Sequence, residues 1–320
     1  MRRLFLLALT AAVLSGCRRQ AKPPGPGPAP RPQVGEPVEA AGLHNVYRLT
    51  DKLYSGSSPE GDEGFRSLQR LGVRTVLSVD GARPDVDRAR RFGLRYVHLP
   101  IGYDGLSREQ ALRLARAVRD LPGPVYVHCH HGQHRGPAAA AVIHRFLDDR
   151  CTVEEALAEL RRAGTDPRYR GLYAAPAELR PPAAGELDRV PPDFPEVAEV
   201  PPLARAMVSI DERWDNLKLA RAAGWKAPPA HPDVDPPHEA LLLVELYHEA
   251  ARSPRSGEDG TLRRGLLEAE EGARRLEEIL RAGKKGGAVD AAAAESAFQK
   301  MGAACSRCHA SHRDVPRRLQ

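Results

Sequence analysis

Pro124-Val125-Tyr126-Val127-His128, followed directly by Cys129-His130-His131-Gly132-Gln133-His134-Arg135-Gly136, decides the fold and the chemistry of this chain. The first five residues read as a short β-strand, and the alanine-rich run after Pro137 reads as a helix. A loop between strand and helix can turn consecutive backbone amides inward as an anion-binding nest, and the helix N-terminus adds positive potential. The same field favours a thiolate, so Cys129 is placed to act as a nucleophile. The planar guanidinium of Arg135, six residues on, can grip two phosphate oxygens and stabilise charge in a transition state. Gly132 relieves the tight curve of the loop. His130, His131, Gly132, Gln133, His134, Arg135 and Gly136 are therefore the candidate phosphate-binding residues.

Outward from this loop, Thr75-Val76-Leu77-Ser78-Val79 and Arg95-Tyr96-Val97-His98-Leu99 are further β-rich runs separated by helical stretches. That alternation predicts an α/β domain with a central, mostly parallel sheet over residues 42–180. Ser107-Arg108-Glu109-Gln110 and Thr152-Val153-Glu154-Glu155 fit the capping box and mark two helix starts. Hydrolysis through a cysteine also needs a proton donor for the leaving oxygen. Asp104, in Pro100-Ile101-Gly102-Tyr103-Asp104-Gly105, follows a strand upstream of the cysteine and is the candidate acid, with Asp80 and Asp85 behind it. A turn role is the alternative for an aspartate beside glycine. His128 reads as a buried hydrogen-bonding residue that orders the loop.

On these residues the chain resembles the protein tyrosine and dual-specificity phosphatases, whose active loop is His-Cys-x5-Arg. The resemblance runs from about Val46 to Tyr173 and includes Leu53-Tyr54-Ser55-Gly56. It implies phosphomonoester hydrolysis through a cysteinyl-phosphate, on a phosphorylated protein or a small phosphorylated molecule. A buried structural cysteine is the alternative for Cys129. The chain departs from the pattern at Gly136, where family members carry a Ser or Thr that helps the cysteine leave. Slow turnover follows, or a non-catalytic anion-binding module.

The chain ends have their own signals. Met1-Arg2-Arg3 and the apolar run Leu4 to Leu14 read as a signal peptide, too short to span a bilayer stably. Leu14-Ser15-Gly16-Cys17 resembles the lipobox of bacterial lipoproteins, which implies cleavage before a lipidated Cys17 and an exported, membrane-anchored lipoprotein. A plain secretory signal is the alternative. Residues 18–41 read as a proline-rich tether and residues 181–202 as a second proline-rich linker, a semi-rigid spacer between domains.

Beyond it, Leu203 to Ala223, Glu239 to Ala251, Leu262 to Arg281 and Val289 to His309 read as an all-α four-helix bundle over residues 203–320. Met207, Ile210, Trp214 and Leu217 recur at helical spacing on its first helix. Cys305-Ser306-Arg307-Cys308-His309 has the spacing for covalent c-type haem, with Cys305 and Cys308 for the thioethers and His309 for the iron. Zinc with His312, or a disulfide, are the alternatives. Together with Ala297-Phe298, the motif resembles class II cytochromes c, the cytochrome c-prime group. That resemblance implies a haem c cofactor, a redox partner and an electron-carrier or redox-sensor role, with Met207 as a distal ligand or an ordinary core methionine.

Composition excludes little but orders the alternatives. The chain has 320 residues, 42% hydrophobic, with 29 prolines and 28 glycines. That length suits two domains joined by loop-rich segments. The net charge of +6 spreads over 48 basic and 42 acidic residues. No aromatic-interleaved basic stripe argues for nucleic acid.

Overall fold

Alternation along the central strands feeds two cores, one on each face of a sheet. In a computed structural model, which describes residues 35–253, 260–284 and 288–316, the strands are β1 (Pro37–Ala40), β2 (Leu43–Arg48), β3 (Leu53–Gly56), β4 (Thr75–Ser78), β5 (Arg95–His98) and β6 (Val125–His128). Leu53, Leu77, Val97, Val125 and Val127 point into one core. Their neighbours Tyr54, Val76, Tyr96 and Tyr126 point into the other. The first core is closed by α3 (Arg108–Asp120), α4 (Arg135–Leu147), α5 (Val153–Arg162) and α6 (Arg170–Glu178), the second by α1 (Gly61–Arg70) and α2 (Val86–Arg91). Each large apolar side chain so buried contributes about 1.5–3 kcal/mol. Both expected capping boxes form, at Ser107 before α3 and Thr152 before α5.

The strand order is β1-β2-β3-β6-β4-β5. β3, β6, β4 and β5 run parallel, whereas β1–β2 and β2–β3 are antiparallel. The sheet is thus mostly parallel as expected, with an antiparallel edge of β1 and β2 that makes it mixed. The added edge begins inside the stretch read as tether, because Pro37-Val38-Glu39-Ala40 pairs with β2 across a turn at Gly42, whose φ is +70°. Proline is tolerated at the start of an edge strand, where no partner needs its missing N–H. The tether up to residue 34, the signal peptide and Cys17 lie outside the described residues.

The second proline-rich segment lies along the α/β region. Leu187 and Phe194 enter its first core. Within the segment, α7 (Glu186–Arg189) presents Glu186 to Arg108 in a two-oxygen grip at 2.8 Å. The His98 amide donates to Pro195 O at 2.8 Å. Arg113 and Arg116 of α3 also hold this segment, donating to the carbonyl oxygens of Asp193 and Asp188.

The C-terminal region is helical: α8 (Pro202–Ala222), α9 (Pro236–Arg252), α10 (Gly260–Lys284) and α11 (Ala291–His312). α8 packs on α9, α9 on α10, and α10 on α11. Ile210 and Leu217 are buried in their shared core, with Met207 and Trp214 half-buried against it. The Trp214 and Phe298 rings stack at 4.0 Å.

Candidate functional site

β6 lies between β3 and β4, so its C-terminal end opens at the centre of the sheet, the usual place for a ligand crevice in α/β folds. There the chain leaves the sheet, turns through residues 129–134 and enters α4 at Arg135. α4 is buried on almost every side, and its small Ala138–Ala141 run lets the sheet and three helices approach it. Gly132 has φ +68°, and a Cβ there would meet the backbone of Gly56 and Ser57 at 2.4–2.5 Å. Asn45 Nδ2 donates to Gly132 O, Thr165 Oγ1 to Gln133 O and the Ser58 amide to His130 O, at 2.6–2.9 Å. The loop is thereby held from three sides.

Cys129 is buried, 4% exposed. A Cβ at position 136 would lie 3.5 Å from its Sγ. The residue after the arginine thus faces the sulfur, where the expected Ser or Thr hydroxyl would act. His128 is fully buried, its Nε2 2.7 Å from the Tyr96 hydroxyl and its Nδ1 3.2 Å from Cys129 O. Burial holds its pKa down at about 4. The neutral ring donates through Nδ1 to the carbonyl and accepts from Tyr96, the ordering role read from the sequence.

Asp80 is the residue that sequence reasoning undervalued. Its Oδ2 accepts from the His130 amide at 2.6 Å and from Arg135 Nη2 at 2.8 Å. Burial alone would raise its pKa, but the Arg135 charge and the Ala82 amide hold it below the ordinary carboxylate value. An ionised Asp80 orients the guanidinium and one loop amide, and it lacks the proton a general acid must carry. The available signal was position: a carboxylate just after β4, whose neighbour in the sheet is β6.

Asp104 lies on the loop between β5 and α3, beside Tyr103, whose ring sits 4.7 Å from Arg135 Cζ. Gly171 lets this loop close, since a Cβ there would meet Asp104 O at 2.1 Å. Of the loop histidines, His134 stands 4.8 Å from the Tyr169 ring. His130 and His131 are exposed at the rim. Two residues of the helical region also reach this rim. Asp215 of α8 lies 3.7 Å from His130 Nε2. Arg313, just past α11, stacks over Tyr103 at 4.4 Å.

Cys305, Cys308 and His309 share α11. Cys305 Sγ is 3.3 Å from the Tyr247 hydroxyl, and Cys308 Sγ is accommodated by Gly265, where a Cβ would come within 3.1 Å. Neither sulfur is in a disulfide among the described residues, and both side chains border the core that Met207 also borders. Burial lowers the His309 pKa to about 4, which keeps the imidazole neutral, the form that ligates iron. In donor type and helical placement these residues fit a covalently held haem. His312 Nε2 is 3.3 Å from the Thr261 hydroxyl.

No protein-family model matches the chain. Over 168 residues it is 30% identical to the dual specificity protein phosphatase TpbA of Pseudomonas aeruginosa strain UCBPP-PA14, covering 51% of this chain and 72% of that protein. The crystal structure of P. aeruginosa TpbA matches at 28% identity and TM-score 0.33, covering 42% of this chain and 92% of that one. A second TpbA structure, a cysteine-to-serine form in complex with pTyr, matches at 28% identity and TM-score 0.32, with 42% and 91% covered.

Proposed function

The chain belongs to the family of the dual specificity protein phosphatase TpbA, and from that premise we propose that its α/β region hydrolyses phosphomonoesters through a cysteinyl-phosphate intermediate. The observation that carries this reading is that Cys129, at the mouth of β6, shares its loop with Arg135, whose guanidinium is held by Asp80 from the end of β4. The Cys129 sulfur attacks phosphorus, an S–P bond forms and the ester P–O bond breaks. Arg135 and the loop amides stabilise the three equatorial oxygens. Asp104 donates its proton to the leaving oxygen, then takes one from the water that cleaves the S–P bond. The substrate class is a phosphorylated protein or a small phosphorylated molecule, the first supported by the relative's name.

The test is hydrolysis of an aryl phosphate by the chain from Arg18 onward. Cys129→Ser and Arg135→Ala are each expected to remove several orders of magnitude of turnover. A wild-type rate in the Cys129 variant would refute the mechanism. Gly136 favours a second reading, an anion-binding module without turnover. A burst of phenol with accumulating cysteinyl-phosphate selects slow catalysis, and phosphate binding with neither burst nor turnover selects the module.

The same proposal assigns a covalent haem to the helical region, which Cys305 and Cys308 would hold as thioether donors and His309 as an iron ligand, with Met207 either a second iron ligand or an ordinary core methionine. Such a group supplies one-electron redox chemistry, which makes the region an electron carrier or redox sensor with a redox partner. The chain's own contribution is a neutral His309 and two thiols presented from one helix. Protein made with periplasmic cytochrome maturation should keep its Soret band through acid-acetone extraction. Colourless protein with Cys305 and Cys308 oxidised or zinc-bound would count against it. Export and a lipid on Cys17 complete the proposal, as an anchored protein on the outer side of a membrane.

A further inference from the structure

Near the C-terminal end of α4, a histidine, a cysteine and a glutamate come together that the phosphatase chemistry does not use. His144 projects from α4, Cys151 from the turn that follows and Glu159 from α5. One donor atom from each lies within 4.8 Å of the other two. All three are largely buried: the His144 and Glu159 side chains are 15% and 12% exposed, and Cys151 is 9% exposed. We propose that His144, Cys151 and Glu159 form a zinc site.

The donor chemistry selects the ion. One thiolate sulfur, one imidazole nitrogen and one carboxylate oxygen suit a borderline ion such as zinc, whereas calcium and magnesium take oxygen ligands almost exclusively. Zinc bonds are about 2.0–2.3 Å long, so three donors around one ion stand roughly 3.3–3.8 Å apart, within small side-chain shifts of the present cluster. His144 Nδ1 and Glu159 Oε1 are 2.7 Å apart and must open slightly. The second carboxylate oxygen, Glu159 Oε2, is buried with no hydrogen-bond partner among the described residues. An orphaned buried carboxylate oxygen costs free energy that an ion would recover.

The cluster also has room for a fourth ligand. A cavity of about 240 Å³ lies against His144 and Glu159 and reaches Ser55 and Pro137. The Ser55 hydroxyl is likewise buried without a partner among the described residues. One water occupies about 30 Å³, so a zinc-bound water fits there. On binding, the Cys151 thiol proton and the proton shared by His144 and Glu159 pass to solvent, leaving thiolate, neutral imidazole and carboxylate as ligands. The ion would tie α4, which begins at Arg135, to α5, whose end is already tied to the phosphate loop. Asn45 Nδ2 donates to both Ala163 O and Gly132 O, each at 2.8 Å. A second trio, His130, His131 and Asp215, is the weaker donor set. Its imidazoles are exposed and its carboxylate is already paired with Lys218.

The experiment measures zinc per chain by equilibrium dialysis and elemental analysis of the full-length protein, with Cys151→Ser, Glu159→Gln and Asp215→Asn beside it. The parent and Asp215→Asn are expected to hold one more zinc than Cys151→Ser or Glu159→Gln, while zinc at any other site is common to all four. Anomalous diffraction at the zinc edge from zinc-grown crystals of the parent is expected to place a peak among the three donors, and it decides the matter if a variant folds poorly. Equal zinc content in the parent and both site variants, or an anomalous map with peaks only elsewhere, overturns the proposal.

Discussion

Two aspartates near the loop divide the work by environment. Asp80 is pinned by Arg135 and two backbone amides, of His130 and Ala82, and stays ionised. Asp104 stands on a separate loop brought over Arg135 by Tyr103. The proposed mechanism assigns the proton transfer to Asp104. Asp104→Asn is therefore expected to slow alkyl phosphates by about 10²-fold or more, the usual scale for a lost general acid, and activated aryl phosphates far less. Equal losses on both substrates would remove Asp104 from that role. Gly136 sets a different limit. A Cβ there would lie 3.5 Å from the sulfur and 3.1 Å from the Cys129 backbone nitrogen, and without a side chain the position offers no hydroxyl donor to a departing thiolate.

At the scale of elements, the phosphate loop keeps its shape because β3, β6 and α4 leave it no alternative. Gly132 lies where the loop presses on the end of β3, with a left-handed backbone and no space for a side chain. Gly132→Ala adds both a strained φ and a clash with backbone that cannot swing aside. It is expected to cost about 2–4 kcal/mol in denaturant unfolding and to raise the KM for aryl phosphate. An unchanged unfolding midpoint would mean that the loop tolerates a different path. The capping boxes of α3 and α5 were legible because their hydrogen bonds are local, between residues three apart. β1 was not, since four residues beginning with proline carry no pattern until β2 supplies the pairing.

At the scale of the whole molecule, the helical region meets the rim of the phosphate loop through an ion pair, His130 with Asp215, and a stack, Arg313 on Tyr103. The pairing with Asp215 raises the His130 pKa above its ordinary 6.5. The same contact, with Lys218, overrides burial and holds Asp215 down at about 2. The His130 contribution is complete below pH 6.5 and is lost as pH rises through its raised folded value. Asp215 contributes above its ordinary 3.8 and is lost as pH falls towards 2. The contact is thus strongest between about pH 4 and 6.5. With His130 half exposed, its effect on overall stability is small. NMR titration should show the His130 midpoint falling towards its ordinary value in Asp215→Asn. An unmoved midpoint would mean that the contact does not form in solution.

Read alone, the residues determined whatever depends on neighbours along the chain: Cys129 and Arg135 on one loop, the strand before it, the helix starts, the C-terminal helices among the described residues and the Cys305 to His309 spacing. Each rests on short-range periodicity or on donors a few residues apart. Tertiary structure decided what depends on distance through space. It seated Asp80 on Arg135, 55 residues away in sequence, laid the 181–202 segment along the α/β region, and gathered His144, Cys151 and Glu159 from two helices and a turn. It also brought Asp215 and Arg313 to the loop. Such partners leave no trace in local pattern, because a long-range contact depends on how the intervening chain folds and is specified by no single stretch of it.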